Sequence, residues 1–335
     1  MPAPDGPGLA SLVGQATERI ALDEAPGKSG ARLERLVIDG EPYVLKRLDL
    51  ADDWTMRASG CLRGAPLELW ERGILARLPG CFNQPIVAVA WEPRTGAGPS
   101  GGCEVLMRDV ARWLVPATDE PIAAGQHERF LRHMAELHAA FWEGGDELDV
   151  VPAVHRYLEL SPWMAQAEAA IGSPHLVPRL VAQGWPMLAE VAPAAAEVVV
   201  PLAHDPGPLV EALAATPHTL VHSNWKLDNL GTDDQGRTVL LDWEQPGLGA
   251  PLSDLAWYLA INCRRLPGSK EESIAAYRAA LEAHGVETGS WFDRQLALSL
   301  LGALVLFGWE KALGGYDEEL RWWENQAVRA SALLG

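Results

Sequence analysis

Residues 222–229 read His222-Ser223-Asn224-Trp225-Lys226-Leu227-Asp228-Asn229, and thirteen residues after Asn229 comes Asp242-Trp243-Glu244. Around them, 219–221, Leu230, a turn at 233–236 and 239–242 predict a compact hairpin. On that reading Asn229 closes one side of the hairpin loop and Asp242 the other, so their side-chain oxygens converge. Two hard oxygen donors beside bound phosphates are what Mg²⁺ accepts, because it keeps most of its water and takes few protein ligands. An Asn or Asp alone is usually a turn residue; the pair at this spacing carries the weight.

The rest of the composition narrows the field. The 335 residues hold 27 Lys+Arg against 45 Asp+Glu, a net charge of −18, with 48% hydrophobic residues and only five lysines. So much apolar material excludes a disordered chain, and the length suits two structural units. Bulk cationic binding of nucleic acid is excluded as well. Cys61, Cys81, Cys103 and Cys263 lie far apart, with no C-x-x-C and no His at ligand spacing. No metal cluster or disulfide framework is expected, and a reducing compartment fits. Residues 1–15 lack the basic region of a secretion signal. The most apolar run, 296–309, is about 14 residues where a membrane span needs about 20, so it predicts a buried core helix. A cytoplasmic protein with no membrane partner is expected.

Toward the N-terminus, 31–38 and 43–48 predict a hairpin around Asp39-Gly40, preceded by a flexible loop at 26–30 and a first strand before it. Residues 66–78 follow helical spacing, with Leu67, Trp70, Ile74 and Leu78 on one stripe. Strands are expected at 86–91 and 104–107, with a Gly/Pro/Ser-rich loop at 92–102 between them. After Met107 the texture turns helical. Residues 126–142 are amphipathic with Phe130, Met134, Leu137 and Phe141 aligned. Broken helices follow over 151–217, and 253–262, 271–284 and the run after Trp291 are helical.

Here the chain resembles the aminoglycoside phosphotransferase and choline-kinase-like family, relatives of the protein kinases. Their pattern is His-Gly-Asp-x-x-x-x-Asn, then Ile-Asp-Trp/Phe-Glu, then Asp-Leu-Ala. This chain has His222-Ser223-Asn224 with Asn229 five on, Leu241-Asp242-Trp243-Glu244, and Ser253-Asp254-Leu255-Ala256. The resemblance implies an α+β, two-lobed protein-kinase-like fold over essentially the whole chain. Its β-rich N-lobe would span 1–107 and its mostly helical C-lobe 108–335. It implies scaffold roles for Asp254 and His222, and His138 in the 126–142 helix is expected in the core.

The other kinase parts fall in order. Lys46 shares a strand face with Val44 and Leu48, and a lysine aimed at an apolar cleft needs a charged partner. Phosphate oxygens and a helix glutamate are the expected partners, with Glu71 first and Glu68 second. Gly27, Lys28 and Ser29 occupy the position of a flap over nucleotide phosphates, without the spacing of a Walker A loop. Met107, Arg108, Asp109 and Val110 correspond to the hinge that holds adenine through backbone groups. The cofactors implied are ATP, with GTP as an option, and Mg²⁺ on Asn229 and Asp242. The partner is a small hydroxyl acceptor, with Trp225, Trp257, Asn262, Glu310, Trp322 and Trp323 as candidate contacts. Trp225 has packing as an equal alternative. The segment from Asp242 to the Asp254 helix is too short for an activation loop, which disfavours protein substrates.

Asn224 stands where the family has its catalytic aspartate. An amide oxygen accepts a hydrogen bond but cannot take the substrate proton, and general-base help is worth roughly 10²–10⁴-fold. The remaining catalysis is positioning and charge neutralisation, so a slow kinase with nucleotide binding intact is expected. Three origins are open: an engineered Asp→Asn exchange, a natural enzyme using another carboxylate (Asp228 being nearest in sequence), or a natural non-catalytic binding protein.

Overall fold

The computed structural model describes residues 8–22, 29–93 and 101–334. Helix α1 (Leu9–Gly14) precedes β1 (Glu18–Ala21), β2 (Arg32–Ile38) and β3 (Glu41–Asp49). Asp39 and Gly40 both take positive φ, 52° and 79°, which is the backbone a two-residue hairpin turn demands. Short helices α2 (Trp54–Ser59) and α3 (Ala65–Glu71) lead to β4 (Phe82–Asn83), β5 (Ile86–Pro93) and β6 (Gly101–Arg108). Five of these strands form one antiparallel sheet in the order β1-β2-β3-β6-β5.

Alternation along β3 sorts the two faces of that sheet. Leu45 joins Leu36, Ile38, Ala88 and Leu106 on an outer face capped by Leu9 of α1. Leu48 belongs to the main core with Cys103 and Val105 of β6 and Leu67 and Leu69 of α3. Lys46, two residues from Leu48, therefore points to the inner face, toward the rest of the molecule.

The helix expected over 66–78 stops at Glu71. Gly73 has φ 66° and breaks the run, and a single 3₁₀ turn, Leu75–Arg77, follows. Helix α2 carried no hydrophobic periodicity. What starts it is Asp53, whose carboxylate accepts from the backbone N–H groups of Thr55 and Met56.

From Arg108 onward the chain is mainly helical: α4 (Ala124–Ala140), α5 (Ala153–Leu158), α6 (Pro162–Ala170), α7 (Leu176–Val191), α8 (Pro193–His204) and α9 (Gly207–Ala214). Then come β7 (Thr219–Val221), β8 (Leu230–Thr232), β9 (Thr238–Leu240) and β10 (Gly247–Gly249). Helices α10 (Pro251–Ile261), α11 (Lys270–Ala283), α12 (Phe292–Leu313) and α13 (Glu318–Ala330) complete it. Phe130, Met134, Leu137 and Phe141 on and just after α4 are all buried. Helix α12 is long and apolar enough to cross a membrane by length and composition, but it is largely buried, packed on α7, α10 and α13.

The second hairpin differs from expectation. β8 pairs with β9, whereas β7 pairs with β10. The reason is the loop between Val221 and Leu230, which carries the chain from one small sheet to another. β4 adds to β9 in parallel, making a three-stranded sheet β4-β9-β8 that joins the N-terminal region to the helical one.

Candidate active site

Asp254, in the first turn of α10 and fully buried, organises the 222–229 loop. Its carboxylate accepts from the backbone N–H of His222 (2.8 Å) and Ser223 (2.7 Å) and from Trp225 Nε1 (3.0 Å). His138 Nε2 lies 3.2 Å away, with Tyr277 on its other nitrogen. Burial alone would raise this carboxyl, but the His138 contact and the surrounding donors hold it below the usual range. His222 is equally buried, and desolvation pushes it down to about 4. It is therefore a neutral scaffold group, with Nδ1 accepting from the Asn224 N–H and Trp243 set edge-on at 4.4 Å.

Two acceptor candidates prove to be parts of this scaffold. Trp225 is wholly buried, packed edge-on against Phe82 and His222. Asn262 accepts from the Leu227 N–H and donates to the carbonyls of Trp225 and Tyr258, locking the loop to the end of α10. The loop also carries strain. Ser223 (φ 58°), where the family pattern has Gly, and Asp242 (φ 68°) both sit in the left-handed region.

The polar cluster forms where β3 faces the end of β9. Lys46 Nζ bonds both Asp242 and Glu244. Asn224 Nδ2 donates to Asp242 Oδ2 at 2.9 Å, Asn229 Nδ2 donates to the Asn224 carbonyl at 3.0 Å, and Lys226 Nζ is 3.9 Å from Asp242. The Leu241 N–H donates to the Asn229 carbonyl (2.9 Å), continuing the β8–β9 register and setting Asn229 beside Asp242. Glu244 also accepts from Thr55 Oγ1 (2.8 Å), which bonds the capping carboxylate of Asp53. Burial alone would lower Lys46, but the two carboxylates raise it. Burial opposes ionisation of Asp242, yet Lys46 and Lys226 hold it well below the usual range. Glu244 is pushed up to about 8 by burial and by Asp242.

Glu71 is not the partner of Lys46. It ends α3 on the solvent side, paired with Arg63, while Glu68 pairs with Arg63 and Arg72. Glu244 takes that place, tied to α2 through Thr55. Its signal in the sequence was its position two residues after Asp242. Asp228 is exposed on the one-turn 3₁₀ segment Leu227–Asn229. Gly27 and Lys28 lie outside the described residues; the Ser29 carbonyl accepts from the Trp54 N–H (3.1 Å), tying its loop to α2. At the expected hinge, the N–H groups of Arg108 and Asp109 are bonded to the carbonyls of Pro85 and Pro42. Two of the four backbone donors proposed for adenine are thus engaged at the sheet end, while Met107 sits in register with Val44 and Ile86.

Beside the loop opens a cavity of about 300 Å³, between α5, α9, α10, α12 and β10. Tyr157, Glu159, Leu213, Leu248, Trp257 and Leu306 are among its walls, and Ser223 brings the 222–229 loop to it. Of the residues expected to contact the acceptor, Trp257 is in the wall of this cavity. Glu310, Trp322 and Trp323 are elsewhere: Glu310 pairs with Lys311, and the two indoles donate to Glu271 and Glu319. Glu159 had no local sequence signal, since only the fold brings the end of α5 to the loop. The buried guanidinium of Arg156 bonds the carbonyls of Val151 and Leu248.

A β-sheet lobe and a helical lobe with this cluster between them define a two-lobed, protein-kinase-like fold. No family model matches the sequence, and no curated protein matches it significantly. Among solved structures, the chain is similar to a thermostable mutant of aminoglycoside phosphotransferase APH(4)-Ia in ternary complex with ADP and hygromycin B. That pair is 15% identical over 96% of this chain and 95% of the other, with TM-score 0.47. It is also similar to choline kinase LicA from Streptococcus pneumoniae (12%; 90% and 89% covered; TM-score 0.45). A third is macrolide 2′-phosphotransferase type I (16%; 92% and 90%; TM-score 0.46). These are likenesses of chain course at low identity.

Proposed function

We propose that the protein is a small-molecule phosphotransferase that moves the γ-phosphate of ATP, or of GTP, to a hydroxyl of a small acceptor. The observation that carries this reading is the meeting of Lys46, from the sheet, with Asp242, Asn224 and Asn229 from the helical lobe in one hydrogen-bonded cluster. Phosphoryl transfer needs little covalent chemistry from a protein; it needs positioned positive charge and an aligned nucleophile.

Charge balance supports a metal-dependent nucleotide. Lys46 and Lys226 are already engaged by the carboxylates around them, so the charge of a bound triphosphate would call for an added cation. The amide oxygen of Asn229 and the carboxylate of Asp242 form a hard-oxygen donor set that suits Mg²⁺. When bound there, Mg²⁺ would neutralise charge on the transferring phosphoryl group. Lys46 would exchange a carboxylate for α/β-phosphate oxygens, and Glu244, held by Thr55, would orient its ammonium. The acceptor would occupy the cavity beside Ser223, against Trp257. A mostly apolar wall suits a carbon-rich alcohol, sugar or amino alcohol with one basic nitrogen better than a polycation such as an aminoglycoside.

A second reading, a non-catalytic nucleotide- or ligand-binding protein, is favoured by one observation: Asn224 spends its amide N–H on Asp242 at the base position. The two readings separate by measuring Mg-ATP binding, then transfer to a panel of alcohols by the Asn224 protein and by Asn224→Asp. We expect micromolar-range Mg-ATP binding that EDTA abolishes, and detectable transfer. Binding without transfer in either form selects the non-catalytic reading; no binding in either overturns both.

A further inference from the structure

Glu159 is the one carboxylate in the wall of the acceptor cavity. It follows the last turn of α5, is 8% exposed, and among the described residues no Lys or Arg lies within ion-pair distance of it. Such a group is costly to keep in an apolar wall, and glutamine or leucine would fill the same space without that cost. Its position is distinctive in another way. Ser223, the neighbour of Asn224, lines the same cavity, and the charges that act on Glu159 are Lys226, Asp242 and Asp53, the groups of the phosphate side. The carboxylate therefore lines the same space as the loop that carries Asn224. Asp228, by contrast, is exposed, and Asn224 has no ionisable proton acceptor to offer.

We propose that Glu159 is the general base of this site, taking the proton of the acceptor hydroxyl in place of the aspartate that Asn224 replaces. This rests on the phosphotransferase reading above. The hydroxyl O–H bond breaks with its proton passing to the Glu159 carboxylate. The oxygen forms a bond to the γ-phosphorus, and the β–γ bridging P–O bond breaks with its electron pair leaving on ADP. Glu159 then returns the proton to solvent, giving phosphate ester, ADP and one released proton. Burial pushes Glu159 up to about 8, with Lys226 and the Gln245 amide opposing and Asp242 and Asp53 adding to the rise. A base tuned close to working pH is an efficient one. Arg156 and Tyr157 from its own helix and His218 across the cavity complete the titratable groups around that space.

The test uses the full chain as natural protein, Glu159→Gln, Glu159→Asp and Glu159→Gln combined with Asn224→Asp. Mg-ATP binding is measured first. Transfer is then measured from pH 6 to 9.5, to water and to an aminoglycoside, a macrolide, an amino sugar, a nucleoside and choline. We expect equal Mg-ATP affinity and unchanged thermal unfolding at pH 7 or below for Glu159→Gln. Its kcat should fall roughly 10²–10⁴-fold with little change in KM. In the natural protein kcat should rise tenfold per pH unit and level near 8. That limb should vanish in Glu159→Gln and persist in Glu159→Asp. In the double variant, the carboxylate introduced by Asn224→Asp should restore turnover. A Glu159→Gln protein with natural kcat and an unchanged pH limb overturns the base role and leaves the phosphotransferase reading standing. Mg-ATP binding without transfer to water or any alcohol in any form overturns the base role too, and selects the non-catalytic reading. Loss of Mg-ATP binding in every form overturns the phosphotransferase reading itself.

Discussion

On the phosphate side of the cleft, Lys46, Asp242, Glu244, Asn224 and Thr55 are linked by hydrogen bonds, while the neighbouring Asp53 Oδ2 and Trp243 Nε1 are buried without one among the described residues. On the acceptor side, among the described residues, the buried Nε1 of Trp257 and Oγ of Ser299 have no hydrogen-bond partner, and Glu159 has no cation within ion-pair distance. Buried polar atoms are normally paired, and each orphan costs about 1–3 kcal/mol. On the proposed function, the first side is a linked cluster that a nucleotide would have to rearrange, exchanging Lys46 contacts for phosphate ones. The second is an open set of donors and acceptors whose partners would arrive with the ligand.

The strongest way to break this contrast is Lys46→Met. It removes the cation that keeps Asp242 and Glu244 compatible, and removing one such electrostatic group typically costs about 10²–10³-fold in kcat. Steady-state transfer should fall by that amount, with loss of stability in urea melts because two buried carboxylates are left facing each other. Retained turnover would remove Lys46 from the phosphate side. Next is Ala303→Phe, which fills the acceptor cavity from α12 and touches nothing on the phosphate side. Acceptor KM should rise about 10–200-fold while Mg-ATP titration stays unchanged; a parallel loss of Mg-ATP binding would show that the two sides are one pocket. The smallest effect concerns the residue that joins them. Ser223→Gly relieves the left-handed backbone at φ 58°, and net of the greater freedom of the unfolded chain should raise stability by about 0.5–1 kcal/mol. Denaturant midpoints check it, and a loss instead would show the hydroxyl to be bonded in the working site.

The same contrast explains what was legible beforehand. Lys46, Asn229 and Asp242 stood out because a local spacing and a strand parity place them, and the β8–β9 register then puts Asn229 opposite Leu241, next to Asp242 in sequence. The Lys46 partner was misread because helix periodicity nominated Glu71, whereas Gly73 ends that helix early and the real partner arrives from 198 residues away. Trp225 and Asn262 look like ligand groups in a linear reading; only packing reveals that both brace the loop on α10. Glu159, 65 residues before Asn224, has no motif and no periodicity to flag it, because its position depends on the packing of five separate helices and strands.

The parallel pairing of Phe82 and Asn83 with Thr238 and Val239 bears on how the cleft can move. The Cys81 carbonyl accepts from the Thr238 N–H at 2.8 Å, and Asn83 Nδ2 donates to Asp233 at 3.0 Å. Together with the chain crossing after Arg108, these contacts stitch the two lobes, and they are not alone: Arg57 pairs with Glu168, and Arg72 donates to the carbonyls of Glu147 and Asp149. His155 and His175 also bond the carbonyls of Ser59 and Asp52. A seam sewn at so many points ties any change in the distance between Lys46 and Asp242 to the whole rim of the cleft.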